Sequence, residues 1–320
     1  MAIKVTKSDE VIEVKNLCVT IYSQPGLGKT SLAFTASKPL LLDFDKGSYR
    51  AVDRKDVVQV ENWRDVAGIT AADVADYDTI IIDTVGKALD SLAQDIIRSN
   101  SKLSNGGALS QQGWGQLGVR FSAYLKMLRG FGKDVVLIAH MDEQKDGDAI
   151  KERLKISGGS KDLVLTDSDV IARISVVNRT RNLMFSPTDT AFGKDPAGIG
   201  EMPVPDAASD AYADCLAVII ARIKAGLNAL SEEQITRQAE EARRRAQAEA
   251  ERQAEIDWFT ENLPKIADAD GINAILGRAK QAGGAIPKAV TDRAEELGLT
   301  FDKEAKGYVL PVQEQQEQAA

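Results

Sequence analysis

Short apolar runs rich in β-branched residues alternate with stretches of helical periodicity as far as about residue 230. This alternation predicts a mainly parallel α/β sheet, because strands covered on both faces read as continuous apolar runs and parallel neighbours need helical crossovers. The predicted strands are Leu17–Tyr22, Pro39–Phe44, Thr79–Ile82, Val135–Ala139 and Val170–Val177. The predicted helices are Thr30–Ser37, Val85–Ser99, Trp114–Arg129 and, roughly, Asp206–Leu230. In the third of these, Leu117, Phe121, Tyr124, Leu125 and Leu128 fall on one face.

From Ser231 the pattern changes to Ala, Glu, Gln and Arg through Glu255, with Arg243, Arg244 and Arg245 consecutive and almost no large apolar residue. This run predicts either an exposed helical connector or a weak coiled coil with an alanine seam. Beyond it, Trp258, Phe259, Leu263, Ile266, Ile272, Ile275, Leu276, Val290 and Leu297 recur at helical spacing, and Gly271 and Gly283-Gly284 break the pattern. The expected organisation is a main α/β domain over 1–230, a charged connector over 231–256, a small helical module over 257–310 and a flexible tail over 311–320.

Composition narrows the function classes. Two distant cysteines, Cys18 and Cys215, offer neither a disulfide framework nor zinc-ligand spacing. No apolar run reaches the roughly 18 residues of a membrane span, so a cytoplasmic protein is expected. The net charge of -8 is carried mostly by residues 231–320, with 12 Lys plus Arg against 18 Asp plus Glu. The preceding 230 residues hold 28 against 30, which leaves room for a local basic patch.

The most specific chemistry lies between the first predicted strand and helix, in Ser23-Gln24-Pro25-Gly26-Leu27-Gly28-Lys29-Thr30-Ser31. Glycines let successive backbone N–H groups turn toward phosphate oxygens, a lysine reaches the β and γ phosphates, and a hydroxyl serves Mg²⁺. Gly26, Gly28, Lys29 and Thr30 meet those needs, although Ser23 occupies the position where such loops usually begin with glycine. Thr79-Ile-Ile-Ile-Asp83 is a buried strand ending in a carboxylate, suited to holding Mg²⁺ through water. ATP and Mg²⁺ are the expected ligands. Arg173, Arg179 and Arg181 follow the fifth predicted strand, and Arg179 or Arg181 is a candidate to act across a subunit interface on the transferred phosphoryl group.

With Gly26-Leu-Gly-Lys-Thr30, Leu42-Asp-Phe-Asp45, Ile82-Asp83, Trp114-Gly115, Ala139-His140 and Ser168-Asp-Val-Ile-Ala-Arg173, residues 15–205 resemble the RecA-like ATPases. The resemblance extends to phage-encoded members of that group, including single-strand annealing proteins of the Sak type. It implies a RecA-like core, and Asp45 as the residue that activates water, with Asp43 as the alternative. It also implies His140 as a sensor of the γ-phosphate. Single-stranded DNA is expected along Ser99–Gln112 and along Asp142–Ser160, where Lys145, Lys151, Arg153 and Lys155 suit phosphate contacts; a solvated surface loop is the other reading, since both segments lack the clustered aromatics of base stacking. A homo-oligomer or filament, a single-strand-binding protein as partner and a host-cytoplasm location follow from the same resemblance. The expected activity is a DNA-stimulated ATPase in phage recombination or annealing. The rivals are a nucleotide-gated scaffold or helicase loader with feeble hydrolysis, and a small-molecule kinase, which the C-terminal extension fits poorly.

Overall fold

A computed structural model describes residues 3, 5–146 and 149–311. The tail expected over 311–320 lies outside these residues except for Pro311. Contacts divide the chain into two compact units, Met1–Glu233 and Gln234–Ala320.

The first unit is built on a 9-stranded sheet among the described residues. Its strands are β1 (Cys18–Ser23), β2 (Pro39–Asp43), β3 (Asp56–Gln59) and β4 (Thr79–Asp83), followed by β7 (Asp134–Asp146), β8 (Ala149–Leu154), β9 (Val170–Val177), β10 (Thr180–Met184) and β11 (Glu201–Pro203). A separate two-stranded hairpin is formed by β5 (Ser104–Asn105) and β6 (Ala108–Leu109). The sheet order is β11-β10-β9-β1-β7-β4-β2-β3, with β8 paired to β7. Strands β9, β1, β7, β4, β2 and β3 pair in parallel. Antiparallel pairing is confined to β7 with β8, β9 with β10 and β10 with β11.

Period-two alternation sends the strand residues to opposite cores. Cys18 and Tyr22 of β1, Ile80 and Ile82 of β4, and Val135 and Leu137 of β7 face one layer. Helices α3 (Val85–Ser99), α4 (Gln111–Gly130) and α5 (Ser160–Asp167) cover it with Leu92, Phe121, Leu125 and Val164. Val19, Ile21, Ile81, Val136 and Ile138 face the other layer. That side is covered by Leu32 of α1 (Lys29–Ala33) and by Leu216, Ile219, Ile220 and Ile223 at the start of α6 (Cys215–Asn262). A short α2 (Arg64–Ala67) carries Val66 into the first core.

The element boundaries correct several expectations. The first helix ends at Ala33, because Thr35 and Ala36 donate to Leu32 and Ala33 in tighter i to i+3 turns. Helix α4 starts a turn earlier than its apolar stripe, where the Ser110 hydroxyl accepts from Gly113 N–H. The helix expected from Asp206 begins only at Cys215 and runs without a break through the Ala/Glu/Arg segment. Residues 236–254 of it are exposed. Strand β7 continues past Ala139 to Asp146 and pairs with β8, so residues 142–146 and 149–154 form the two strands of an antiparallel arm rather than parts of an open loop.

In the second unit, α7 (Ala269–Ala282), α8 (Ile286–Glu296) and the hairpin of β12 (Thr300–Asp302) with β13 (Gly307–Val309) enclose an apolar core of Phe259, Ile272, Ile275, Val290 and Tyr308. Asp268 caps α7 by accepting from Gly271 N–H at 2.8 Å. No helix among the described residues is long and apolar enough to cross a membrane.

Candidate nucleotide site

The strand order places the loop after β1 between two strands that outrun it. Ser23 is in register with His140 of β7, which continues to Asp146, and Tyr22 is in register with Arg173 of β9, which continues to Val177. The loop at residues 23–30 therefore sits at the carboxyl edge of the sheet, flanked by two hairpin arms, in the position where α/β sheets bind ligands.

Gly26 (φ 83°) and Gly28 (φ 79°) take the left-handed backbone that the phosphate-wrapping turn requires. Lys29 is buried, and its Nζ donates to Ser23 O and Oγ at 3.1 Å each and to Gln24 O at 3.0 Å. The departure at Ser23 thus supplies an extra acceptor that holds the lysine inside the loop. Burial lowers the Lys29 pKa to about 8, against the pull of Asp83 and Asp45.

Thr30, in the first turn of α1, donates its hydroxyl to Asp83 Oδ2 at 2.5 Å. The Asp83 carboxyl is pushed up to about 6, first by burial and then by the charges of Asp43 and Asp45, while the Thr30 hydrogen bond and the charge of Lys29 work the other way. Hydroxyl and carboxylate oxygens are the hard donors that Mg²⁺ accepts, and an ion of this kind takes its remaining ligands from phosphate and water. Among the described residues no group of three or more His, Cys, Asp or Glu forms an all-protein metal cage. Thr30 and Asp83 therefore fit Mg²⁺ brought with a nucleotide.

The two carboxylates after β2 have separate roles. Asp43 is fully buried and accepts from Gly47 N, Ser48 N and Gln59 Nε2, fixing the turn that follows the strand. Burial alone would raise its pKa; these hydrogen bonds outweigh burial and hold it low. Asp45 is anchored through its own N–H, which donates to Asp83 O at 3.1 Å, and its carboxylate is left to face the cleft. His140 Nε2 lies 3.9 Å from Asp45 Oδ2. Burial first, then the charge of Lys29, holds the imidazole below its usual pKa. Both effects favour the neutral imidazole, and its Nδ1 is enclosed without a hydrogen-bond partner among the described residues.

These groups line a cleft of about 400 Å³ that includes Gly28, Lys29, Thr30, Asp45, Asp83 and His140, together with Arg50. Arg50 escapes sequence reasoning because it ends a single 3-10 turn, Ser48–Arg50, that carries no motif. Its position follows from Gly47, where a Cβ would fall 2.6 Å from Arg50 Nη2 and 3.6 Å from Asp45 Oδ2. The only available signal is a glycine shortly before an arginine, downstream of the acidic strand end.

A second cleft, about 380 Å³, shares Asp45 and His140 with the first. Lys87 at the start of α3, Lys155 after β8 and Lys161 in α5 line it, with Asp90, Asp142 and Gln144. Gly86 permits this packing, since a Cβ there would come within 3.1 Å of Lys155 O.

The remaining predicted residues are dispersed. Of the four cations expected to meet DNA, Lys155 faces the second cleft, and Arg153 lies over the Phe192 ring at 4.7 Å. Lys151 pairs with Gln144 and Lys145 with Ile150. Alternation then puts Lys151 and Arg153 on one face of the arm and Lys145 on the other. The other expected DNA segment, 99–112, is closed by the β5–β6 hairpin, which turns at Gly106-Gly107.

The three arginines differ. Arg173 pairs with Glu152 and ties β9 to β8. Arg181 reaches toward the phosphate loop of its own chain. It donates to Leu27 O at 3.4 Å and Pro205 O at 3.3 Å, beside the Tyr212 ring. Arg179 stands exposed at the tip of the β9–β10 hairpin in a left-handed turn with Asn178 (φ 64° and 51°).

Comparison with known proteins agrees with the loop chemistry. A search of curated proteins finds none that matches. Among solved structures, the RadB recombinase is similar over 52% of this chain and 79% of its own, with 12% identity and a TM-score of 0.33. The family model described as an AAA domain matches residues 15–197, from the first strand past the second hairpin arm. With more than half its length matched, this chain belongs to the AAA domain family of P-loop ATPases.

Proposed function

We propose that the protein couples ATP hydrolysis to single-stranded DNA, in recombination or annealing of the kind that the resemblance to phage Sak-type proteins implies, and that it works as a homo-oligomer or filament. The observation that carries this reading is the wall shared by the two clefts. Asp45 and His140 border the phosphate-binding cleft on one side and the lysine-bearing cleft on the other, so a polyanion entering the second cleft meets the groups that govern chemistry in the first.

In this mechanism the triphosphate replaces Ser23 and Gln24 as the partner of Lys29, which then neutralises charge on the β and γ phosphates. Asp45 orients the attacking water, and neutral His140 registers whether a γ-phosphate is present. Thr30, with Asp83 acting through water, would hold Mg²⁺, which would supply charge neutralisation for the phosphates. Lys29 and Arg50 are the cations of a cleft that also carries Asp45 and Asp83, so Arg50 completes the positive charge the transferred phosphoryl group needs and does so within one subunit. Arg179, exposed at its hairpin tip, remains the candidate to reach a neighbouring subunit. Lys87, Lys155 and Lys161 contact DNA phosphates, joined by Lys151 and Arg153 on one face of the arm, whereas Lys145 on the other face does not share that track. The C-terminal unit recruits a partner, a single-strand-binding protein by the same resemblance.

A second reading, a nucleotide-gated scaffold or helicase loader, is favoured by the 48-residue α6, exposed over 236–254. Fluorescence anisotropy of labelled oligo-dT with ATP, with ADP and without nucleotide separates the two. Nucleotide-dependent DNA binding that weakens in Lys155→Ala supports the DNA reading; intact nucleotide binding with no DNA binding leaves the scaffold.

A further inference from the structure

Strand β10 turns one face toward the layer that packs on α1 and α6. Leu183 and, just past the strand, Phe185 are buried there. Period two puts Arg181 on the same face, at the end of β10 that pairs with the last residues of β9, by the carboxyl edge of the sheet. A cation that ends an apolar face lays its aliphatic stem along that face and brings its charged head out to polar partners. For Arg181 those partners are the phosphate loop and the segment 205–212. Nη1 donates to Leu27 O at 3.4 Å, Nη2 donates to Pro205 O at 3.3 Å, and Cζ lies 5.8 Å from the centroid of the buried Tyr212 ring.

The contact bears on one peptide unit. Leu27 O and the Gly28 N–H belong to the same trans peptide, in which carbonyl and amide hydrogen point in opposite directions. Drawing Leu27 O toward Arg181 therefore turns the Gly28 N–H away from the guanidinium, and Gly28 lines the phosphate cleft. Backbone N–H groups of such a loop are the donors that wrap phosphate. A Cβ on Gly28 would fall 2.6 Å from Arg181 Nη1, so the guanidinium lies directly against this peptide. The segment that carries Pro205 and Tyr212 is itself anchored behind α1. At the start of α6, Leu216 N–H donates to Thr35 Oγ1 at 2.8 Å and Ala217 N–H donates to Thr35 O at 3.1 Å. The phosphate loop and its helix are thus tied to the same segment at both ends.

We infer that Arg181 is a positioning residue that acts within its own chain, clamping the Leu27–Gly28 peptide so that the loop is preset to bind nucleotide phosphate. Because it bonds the loop's carbonyl, its effect falls on affinity for the bound phosphates, in ADP and ATP alike, and not on the transfer step. Arginine suits this task better than lysine, since its donors sit in a fixed plane that bridges two carbonyls, whereas an ammonium is a compact point charge. The role rests on nucleotide binding at the loop and is independent of the DNA reading.

The test is titration of mant-ADP with the parent chain, Arg181→Ala and Arg181→Lys, beside kcat and KM for ATP hydrolysis. Arg181→Ala is expected to weaken mant-ADP binding and to raise KM by about tenfold each, with kcat within about threefold of the parent. A variant that merely folds less well would lose kcat through its smaller active fraction and keep its KM, so the split separates positioning from general stability. Arg181→Lys keeps the charge and loses the fork, and its mant-ADP affinity should fall by about threefold to fivefold. It also decides the matter should circular dichroism show Arg181→Ala unfolded. An affinity loss below threefold in Arg181→Ala, or parent-like affinity in Arg181→Lys, overturns the inference. A larger fall in kcat also overturns it, because the arginine would then act on the transferred phosphoryl group. A parent chain that does not bind mant-ADP contradicts the nucleotide site itself and the clamp with it.

Discussion

The two units bury different kinds of residue. In the first, Lys29, Asp43, Asp83, Asp95 and Asp134 are buried beside the apolar core, whereas in the second the buried side chains among the described residues are apolar or aromatic. Buried charge is costly unless it is paired or hydrogen-bonded, and its presence marks the place where a fold sustains an unfavourable arrangement for chemistry. Around Lys29 and Asp83 that arrangement shifts both ionisations toward neutrality. The second unit has the composition of a module that folds and docks. Catalysis is therefore expected to respond to single charges in the first unit and to be insensitive to the packing of the second.

The largest effect expected is from Lys29→Ala, which removes the cation aimed at the phosphates and should lower the ATP hydrolysis rate by about 100- to 1,000-fold; phosphate release assays measure it. Asp45→Asn keeps the shape but not the basicity, and a loss of about 100-fold is expected, with ATP affinity nearly unchanged. Asp43→Asn instead loosens the turn at Gly47 and Ser48, so a larger loss of thermal stability than in Asp45→Asn distinguishes the two carboxylates. Arg50→Ala should cost roughly tenfold to 100-fold in kcat, and a rate within about threefold of the parent would remove it from the mechanism. In the other unit, Ile272→Ala opens a cavity in the buried core at a cost of about 2 to 5 kcal/mol. Hydrolysis should survive it, and a parallel loss of activity would break the distinction between the units.

Smaller effects come from pH. The ATPase rate should rise through about pH 6 as Asp83 ionises and fall above about pH 8 as Lys29 loses its proton. Stability of the free protein adds a sign check. Asp83 has a folded pKa of about 6 against an ordinary value of 3.8, so the folded state holds more protons in that interval. Stability should therefore decline between about pH 4 and about pH 6, by on the order of 2 to 3 kcal/mol, and urea melts of Asp83→Asn should lack that decline. For Lys29 the folded pKa is depressed, and stability should recover between about pH 8 and pH 10.5.

Apolar periodicity made the central strands and the loop after β1 legible, since buried strands and glycine-rich phosphate loops are local features of sequence. The β7–β8 arm was not, because residues 142–146 and 151–153 are all charged or amide residues and no apolar alternation marks either strand. Helix α6 begins nine residues later than its pattern suggests, because Ser209 and a short 3-10 turn at Asp210–Tyr212 intervene. Arg181 and Arg50 were hidden for another reason. Their roles depend on which loops the sheet order brings together, and spacing along the chain does not encode that order. Asp43 and Asp45 differ by two positions, and the sequence, which favoured Asp45 with Asp43 as the alternative, holds no sign of the hydrogen bonds from Gly47 and Ser48 that tie Asp43 to the turn.

The shared wall of Asp45 and His140 is the centre of this account, and steady-state ATP hydrolysis with and without single-stranded DNA tests it most directly. The prediction is a rate that DNA raises in the parent protein, that no longer responds to DNA in His140→Ala, and that Lys29→Ala abolishes under both conditions. A parent protein that hydrolyses ATP at the same rate with and without DNA, while binding both, would contradict coupling between the two clefts.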